Sequence, residues 1–108
     1  MHVSITRLKI RGFLGWLRFW ALSLRVLNFA RNAKDIVFCE VKSDHGYKYT
    51  LTVWKNKEAM LQFRNSEIHR MAMDLMPNIG QGSVFGYETD KVPCWDTALS
   101  LFHENNQT

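Results

Sequence analysis

Histidine and cysteine are the side chains of this sequence that most readily bind metals or act as nucleophiles. The 108-residue chain has four histidines and two cysteines, and none follows the spacing of a zinc motif or of a Cys–His catalytic pair. Cys94 precedes a predicted helix, where partial positive charge could lower its pKa, but a small residue replacing a capping serine is the simpler explanation. We therefore predict no metal site. The six residues are His2, His45, His69, His103, Cys39 and Cys94.

A second group of residues is large and apolar and lies on predicted helices or at the end of a predicted strand. Such a group is typical either of a packed core or of a pocket wall for an apolar molecule. Its members are Trp20, Trp54, Phe63 and Met73. Two polar residues accompany it. Ser23 either contacts a ligand or bonds back to its own helix, and His69 is either a plain surface or capping histidine or the proton donor of the pocket.

Length and composition favour one domain with an ordinary core. The chain is 46% hydrophobic, 13% aromatic and 22% charged, with a formal net charge of +4. This charge is compatible with an acidic partner but too small to indicate one. Two cysteines form at most one internal disulfide, and nothing suggests a secreted disulfide scaffold.

The longest apolar run, residues 13–30, contains Arg18 and Arg25. An arginine at a bilayer centre costs about 2.5 to 3.5 kcal/mol, and Arg18 also interrupts the unbroken stretch that a signal peptide requires. We therefore predict a cytoplasmic protein without a membrane partner, the alternative being a helix that lies in a membrane interface.

Alternating apolar residues predict four strands. They are residues 2–11, Ile36–Lys42, Tyr47–Trp54 and residues 84–89. Asp44 and Gly46 lie in the short connection between the second and third, which is typical of a hairpin.

Three helical segments separate and follow the strands. Leu14–Asn32 is apolar over a wide arc, which predicts burial against the sheet and against something further, such as a ligand or a second subunit. Asn56 is the predicted N-cap of the second segment, which breaks at Asn65–Ser66 because its apolar stripe changes phase there. Ser66 caps the continuation, Pro77 ends it, and the last helix spans Pro93–His103.

The order β-α-β-β-α-β followed by a helix predicts a ferredoxin-like α+β domain over residues 1–104 with a polar tail at 105–108. Both faces of the central hairpin carry apolar residues, and Tyr47, Tyr49, Leu51 and Val53 share one of them. The domain's helices cover one face of the sheet, so we expect a second copy to cover the other. The sequence therefore predicts a homodimer.

The stretch Leu51–Met60, followed by Phe63, Ser66, His69 and Met73, resembles the antibiotic-biosynthesis-monooxygenase-like superfamily of dimeric α+β barrels. The resemblance is strongest over residues 47–76 and extends to the whole chain through the order of the elements. It implies two subunits packed sheet to sheet, each with a mostly apolar pocket between its helices and its sheet.

Two branches of that superfamily imply different roles for these residues. The small haem-degrading monooxygenases use an Asn, a Trp and an iron-ligating His at places held here by Thr6, Phe63 and Met73, so haem degradation of that type is not implied. Spheroidene monooxygenase and its relatives resemble this chain in Phe19-Trp20 and in the segment Ala59–His69. If those relatives use that histidine as a haem ligand or proton donor, His69 inherits the role.

An RNA-binding module is an alternative because RNA-recognition domains share this order of elements. Gly46, Tyr47 and Tyr49 match the aromatic motif on their third strand, whereas His45 and Lys48 depart from it. Tyr47 and Tyr49 should be exposed on a flat sheet in an RNA-binding module and buried in a subunit interface in the dimer.

The sequence thus predicts a monooxygenase-like protein, cofactor-independent or haem-dependent, that binds a bulky apolar or aromatic small molecule between helices and sheet. No cofactor is predicted, and haem is the one that the resemblance allows. A ligand-binding dimer without catalysis is the alternative. The predicted catalytic residue is His69, and the predicted ligand-binding residues are Trp20, Ser23, Trp54, Phe63 and Met73.

Overall fold

Four antiparallel strands form the sheet on which the rest of the chain is built. The computed structural model describes residues 1–10 and 12–105. The strands are β1 His2–Ile10, β2 Ile36–Asp44, β3 Tyr47–Trp54 and β4 Gly80–Glu88, and the helices are α1 Gly12–Arg31, α2 Lys57–Arg64, α3 Glu67–Ile79 and α4 Trp95–Asn105. The sheet order β2-β3-β1-β4 confirms the predicted ferredoxin-like fold. Of the predicted tail, residue 105 belongs to α4, and residues 106–108 lie outside the described part.

The β2–β3 connection is a tight hairpin. Asp44 pairs with Tyr47 across it, and the two residues between them, His45 and Gly46, have φ of 49° and 82°. Positive φ at both central positions matches the right-handed twist of the flanking strands, and glycine adopts it without strain.

The break between α2 and α3 follows from two side-chain caps. The Asn56 side chain accepts a hydrogen bond from the Ala59 N–H at 2.9 Å and starts α2. The Ser66 hydroxyl accepts one from the His69 N–H at 3.3 Å and starts α3. Both predicted caps and the predicted break are confirmed, and the break turns the chain so that His69 faces α2.

Several predicted boundaries are wrong by two to four residues. α1 begins at Gly12, α3 continues through Pro77 to Ile79, and β4 begins at Gly80 instead of residue 84. β4 is longer because it pairs with all of β1, from His2 opposite Glu88 to Ile10 opposite Gly80. Strand length is therefore set by the partner strand, which local sequence does not show.

A bulge in β2 changes which face Ile36 occupies. The register shifts between Ile36 and Phe38, so one extra residue, Val37, intervenes. Ile36 consequently packs with the helix-side cluster around Trp54, whereas Phe38 packs on the opposite face. Regular alternation would place Ile36 and Phe38 on one face, and the bulge puts them on opposite faces.

The final helix covers the sheet face that we expected a second subunit to cover. Ala98 and Phe102 of α4 pack with Val3, Ile5, Leu51 and Val53 in the main core. The Phe102 ring meets Tyr49 edge to face at 5.9 Å, leaving Tyr49 2% exposed. Burial of this face therefore does not require a dimer, because the chain supplies its own cover.

α1 is buried on one side only. Its inner side faces the sheet, whereas Trp16, Leu17, Trp20 and Leu24 are exposed on its outer side. In the described part of one chain nothing covers these four side chains, so the expected burial of the outer side against a ligand or a second subunit stays a prediction. Within the described residues, no helix has the combination of length and apolar character needed to cross a bilayer.

Replacing Phe102 tests the role of α4. Phe102→Ala should lower the free energy of unfolding by about 3 to 5 kcal/mol, because it removes a fully buried ring from the main core. Urea unfolding monitored by circular dichroism measures the change. Ser100→Ala, on the exposed side of the same helix, is the control, and an equal loss in both variants would contradict this role.

Candidate functional site

A cavity of about 730 Å³ lies between the sheet and helices α1, α2 and α3. This size is within the range of small-molecule sites in proteins. Its floor consists of side chains from β1, β3 and β4, and its roof consists of side chains from the three helices.

Short side chains on the floor leave the space open. The short residues of the floor are Ser4 and Thr6 of β1, Thr50 and Thr52 of β3, and Gly82 and Gly86 of β4, and they lie among larger residues such as Leu8 and Val84. A packed core would need larger apolar side chains at these helix-facing positions. The Thr52 hydroxyl donates to the Ser4 carbonyl at 3.4 Å. Most of the floor therefore consists of short or polar residues, which leaves free volume beneath the helices.

The roof is apolar. Its α1 residues include Phe19, Leu22, Val26 and Leu27, and Met60 of α2 and Met73 of α3 continue it. Ser23 lies among them, and its hydroxyl donates back to the Trp20 carbonyl at 3.2 Å. Of the two interpretations of Ser23, the bond within the helix is the one that the structure contains, while the side chain still borders the cavity.

Two aromatic rings, Trp54 and Phe63, make the wall at the α2 end, and Phe29 stacks on Phe63 outside the lining. The centroid of Phe63 lies 5.0 Å from that of Trp54 and 6.0 Å from that of Phe29. Trp54 is 1% exposed, and its indole Nε1–H has no hydrogen-bond partner. An unpaired buried donor is uncommon in proteins, which makes this wall the least satisfied part of the described core.

His69 completes the wall from α3. Its ring meets Phe63 edge to face at 4.9 Å, and its Nδ1 is buried without a hydrogen-bond partner. Burial lowers the pKa of the imidazole below 6.5, and the positive charge of the Arg64 side chain lowers it further. The side chain is therefore neutral at pH 7, a state that can take up a proton or bind a metal.

Five of the six predicted site residues border this cavity, namely Ser23, Trp54, Phe63, His69 and Met73. Trp20 does not belong to the described lining and is 57% exposed on the outer side of α1. The wide apolar arc of α1 gave no indication of which side would face inwards. The roles predicted for these six residues in ligand binding and catalysis stay predictions.

Thr6, Phe63 and Met73 also border the cavity together. These are the places at which the haem-degrading enzymes are expected to carry Asn, Trp and His. The chain thus brings the same three positions to one space with side chains of different chemistry.

Sequence reasoning missed the polar floor and the basic residues of the lining. Lys48, Thr50 and Thr52 alternate with the core residues of β3 and face the helices. A polar run at positions that helices cover was the available signal, because a packed interior does not tolerate it. Lys57, Arg64 and Arg70 of α2 and α3 gave no comparable signal, since surface helices usually carry such residues.

Metal ligation, a reactive Cys94 thiol and RNA stacking are the other chemical roles that the sequence raised. In the described part of the chain, no group of three or more His, Cys, Asp or Glu side chains is placed to hold a metal ion. Cys94 precedes α4, where a hydrogen bond with Thr97 lowers the pKa of its thiol. Tyr49 lies beneath Phe102, so the aromatic platform that RNA stacking requires is covered.

Comparison with known proteins supports the fold. No family model and no curated protein matches the sequence. A putative antibiotic biosynthesis monooxygenase from Deinococcus radiodurans superposes with a TM-score of 0.76 at 17% identity, over 87% of this chain and 97% of that one. A variant of SnoaB, a cofactor-independent oxygenase from Streptomyces nogalater, superposes with a TM-score of 0.71 at 10% identity, over 84% of this chain and 94% of that one.

A putative antibiotic biosynthesis monooxygenase from Nitrosomonas europaea superposes with a TM-score of 0.74 at 7% identity, over 84% of this chain and all of that one. The chain therefore has the fold of the antibiotic-biosynthesis-monooxygenase-like proteins, as its resemblance to them implied. Likeness at these identities concerns the fold, and the functional argument must come from the cavity.

His69 makes stability depend on pH. Because its folded pKa lies below 6.5, the unfolded chain binds the proton first as the pH falls. The contribution of the neutral, buried imidazole is complete above pH 6.5 and declines as the pH falls below that value.

Urea unfolding measured at pH values above and below 6.5 should show a decline in the free energy of unfolding of the unmodified parent protein as the pH falls, and a weaker decline in His69→Gln. His103→Gln, at an exposed position, should behave like the parent. Identical profiles for the parent and His69→Gln would show that the His69 pKa is not lowered by folding.

Proposed function

We propose that this protein binds a bulky apolar or aromatic small molecule in the helix–sheet cavity and acts on it as a monooxygenase. The main observation in support of this proposal is a cavity of about 730 Å³ whose apolar roof and aromatic wall adjoin a half-buried neutral histidine. An apolar molecule gains free energy by leaving water for such a space, at roughly 25 cal/mol per Å² buried.

The chain's own residues suffice for a cofactor-independent reaction of an electron-rich substrate. The roof and Phe63 orient the aromatic body and exclude water, while His69 takes up the proton from an activated carbon. Dioxygen then oxidises the resulting carbanion. In the overall balance, a CH₂ group and O₂ give a carbonyl group and water, with the substrate as the sole electron donor.

Haem is the cofactor that the fold family allows, and His69 is the residue that fits it. A neutral imidazole that borders the cavity is a suitable iron ligand. When bound, haem would supply redox-active iron. In that case Phe63 and Met60 would contact the macrocycle and the helices would keep water from it.

The second candidate is a ligand-binding protein without turnover. Ser23 bonds within its own helix, and His69 is the one titratable side chain of the aromatic wall. Such a site binds and shields an apolar molecule whether or not chemistry follows. An RNA-binding role has less support, because Phe102 covers Tyr49.

A cavity-filling substitution tests ligand binding. Thr50→Phe adds a ring to the floor and should weaken the binding of N-phenyl-1-naphthylamine, a neutral fluorescent probe, by about tenfold or more. Thr97→Phe, at an exposed position of α4, is the control and should bind the probe as tightly as the unmodified protein does. Unchanged binding in a folded Thr50→Phe protein would exclude this cavity as the site.

Catalysis is tested by oxygen uptake with electron-rich polycyclic phenols, with and without added haem. His69→Ala should abolish uptake while retaining probe binding, because it removes the proton acceptor and leaves the roof intact. A Soret band on haem addition that His69→Ala loses would support the haem-dependent reaction. Binding without any uptake would leave the non-catalytic protein as the function.

We also propose a homodimer, on narrower grounds than the sequence suggested. α4 covers the centre of its sheet face, but Tyr47 and the stacked pair Phe85–Tyr87 stay half-exposed beside it. A second copy would bury them. Sedimentation equilibrium should give twice the chain mass, and Phe85→Asp should shift it towards the monomer. A parent that sediments as a monomer at micromolar concentration would contradict the dimer.

A further inference from the structure

The cavity lining carries an excess of positive charge. Four of its side chains have fixed positive charges, and one has a carboxylate, Asp74. The four are Lys48, Lys57, Arg64 and Arg70. The chain as a whole is less unbalanced, with 14 basic and 10 acidic residues. The imbalance is thus concentrated at the proposed binding site.

None of these four cations has an anionic partner within the described part of the chain, and three of them have no other partner there either. Lys48 is engaged, because it donates to the Ser43 hydroxyl and its ammonium lies 4.7 Å from the centroid of the Trp16 ring. The ion pairs of the described residues, His2–Glu88 and His45–Asp44, include none of the other three.

Glu67 is the carboxylate closest in sequence to the two arginines, three residues from each. It is exposed and does not border the cavity. Among the described residues, neither Glu67 nor Asp74, which lies four residues after Arg70, forms an ion pair with either guanidinium.

The free cations border the same cavity as the aromatic wall and His69. Lys57 starts α2 and Arg64 ends it. Arg64 also acts on His69, whose pKa its charge lowers. Positive charge, aromatic wall and titratable imidazole therefore line one cavity.

We propose that the ligand of this cavity is an anion, namely an apolar aromatic molecule that carries a carboxylate or an acidic phenol. Arg64 and Arg70 hold its anionic oxygen at the α2–α3 end, Lys57 adds positive charge to the lining at the start of α2, and Phe63 and the α1 roof hold its body. A guanidinium presents a planar fork of N–H donors that matches a carboxylate. This inference rests on the proposed function of the cavity.

An acidic phenol would gain more than orientation from these cations. Positive charge beside the site favours the ionised form of the phenol, by the same effect that lowers the pKa of an acid near arginine. The ionised form is more electron-rich and therefore gives up electrons to dioxygen more readily. The cations thus select the form of the substrate that a cofactor-independent reaction requires.

Two fluorescent probes with the same ring system separate charge from apolar contact. They are neutral N-phenyl-1-naphthylamine and 8-anilino-1-naphthalenesulfonate, which carries an anionic sulfonate in the place of a carboxylate. The parent should bind the anion about tenfold tighter than the neutral amine, a difference of about 1.4 kcal/mol. Salt raised from about 0.05 M to about 0.5 M should narrow this preference, because it screens the charges at the mouth.

Charge-removing variants locate the effect. Arg64→Gln/Arg70→Gln should weaken anion binding about five- to tenfold while neutral-probe binding changes less than about twofold. Lys34→Gln/Lys91→Gln removes the same charge at exposed positions outside the cavity and is the matched control. It should retain the preference.

The outcomes distinguish this inference from the proposed function. Neutral-probe binding without an anion preference would overturn the inference and leave the cavity as a site for uncharged molecules. An equal loss of the preference in the control variant would also overturn it, because net charge and not the cavity rim would be the cause. If neither probe binds, the proposed binding function fails and the inference fails with it.

Discussion

The unequal filling of the two faces of the sheet is the constraint on which the rest of the structure depends. On one face, Val3, Ile5, Leu51 and Val53 are fully buried and pack against Phe102. On the other, residues such as Ser4 and Thr50 are too short to reach the helices above them. Close packing on the first face stabilises the sheet, and its absence on the second leaves the cavity.

The break between α2 and α3 gives that cavity its chemistry. Ser66 starts α3 within the turn that follows α2, and this turn brings His69 back against Phe63. One uninterrupted helix would carry His69 away from the Trp54–Phe63 wall along the helix axis, at 1.5 Å per residue. The same turn places Arg64 beside the imidazole, so the local backbone caps decide the electrostatics of the site.

The similarity to known structures separates architecture from function. Structures as little as 7% identical superpose over most of the chain because the order of elements and the sheet register need only a pattern of apolar positions. What the cavity binds depends instead on which side chains border it. Here Thr6 and Met73 stand where the haem-degrading monooxygenases that the sequence resembles are expected to have other residues, while Arg64 and Arg70 add charge. The function of this chain therefore depends on its own lining residues.

The sequence by itself determined the order of the elements, the ferredoxin-like class, the hairpin at His45–Gly46 and the caps at Asn56 and Ser66. These features depend on neighbouring residues: positive φ at a turn, a side chain that caps its own helix, and the alternation of a strand. The sequence also selected five of the cavity residues, namely Trp54, Phe63 and Met73 as an apolar wall and Ser23 and His69 as the polar residues beside it.

Only the tertiary structure decided which surfaces meet. The docking of α4 on Tyr49, the outward position of Trp20, the continuation of α3 through Pro77 and the length of β4 depend on partners distant in sequence. The polar floor became a binding site because three helices span it without filling it. No local pattern contains that information, since the free volume under a helix is a property of both surfaces that enclose it.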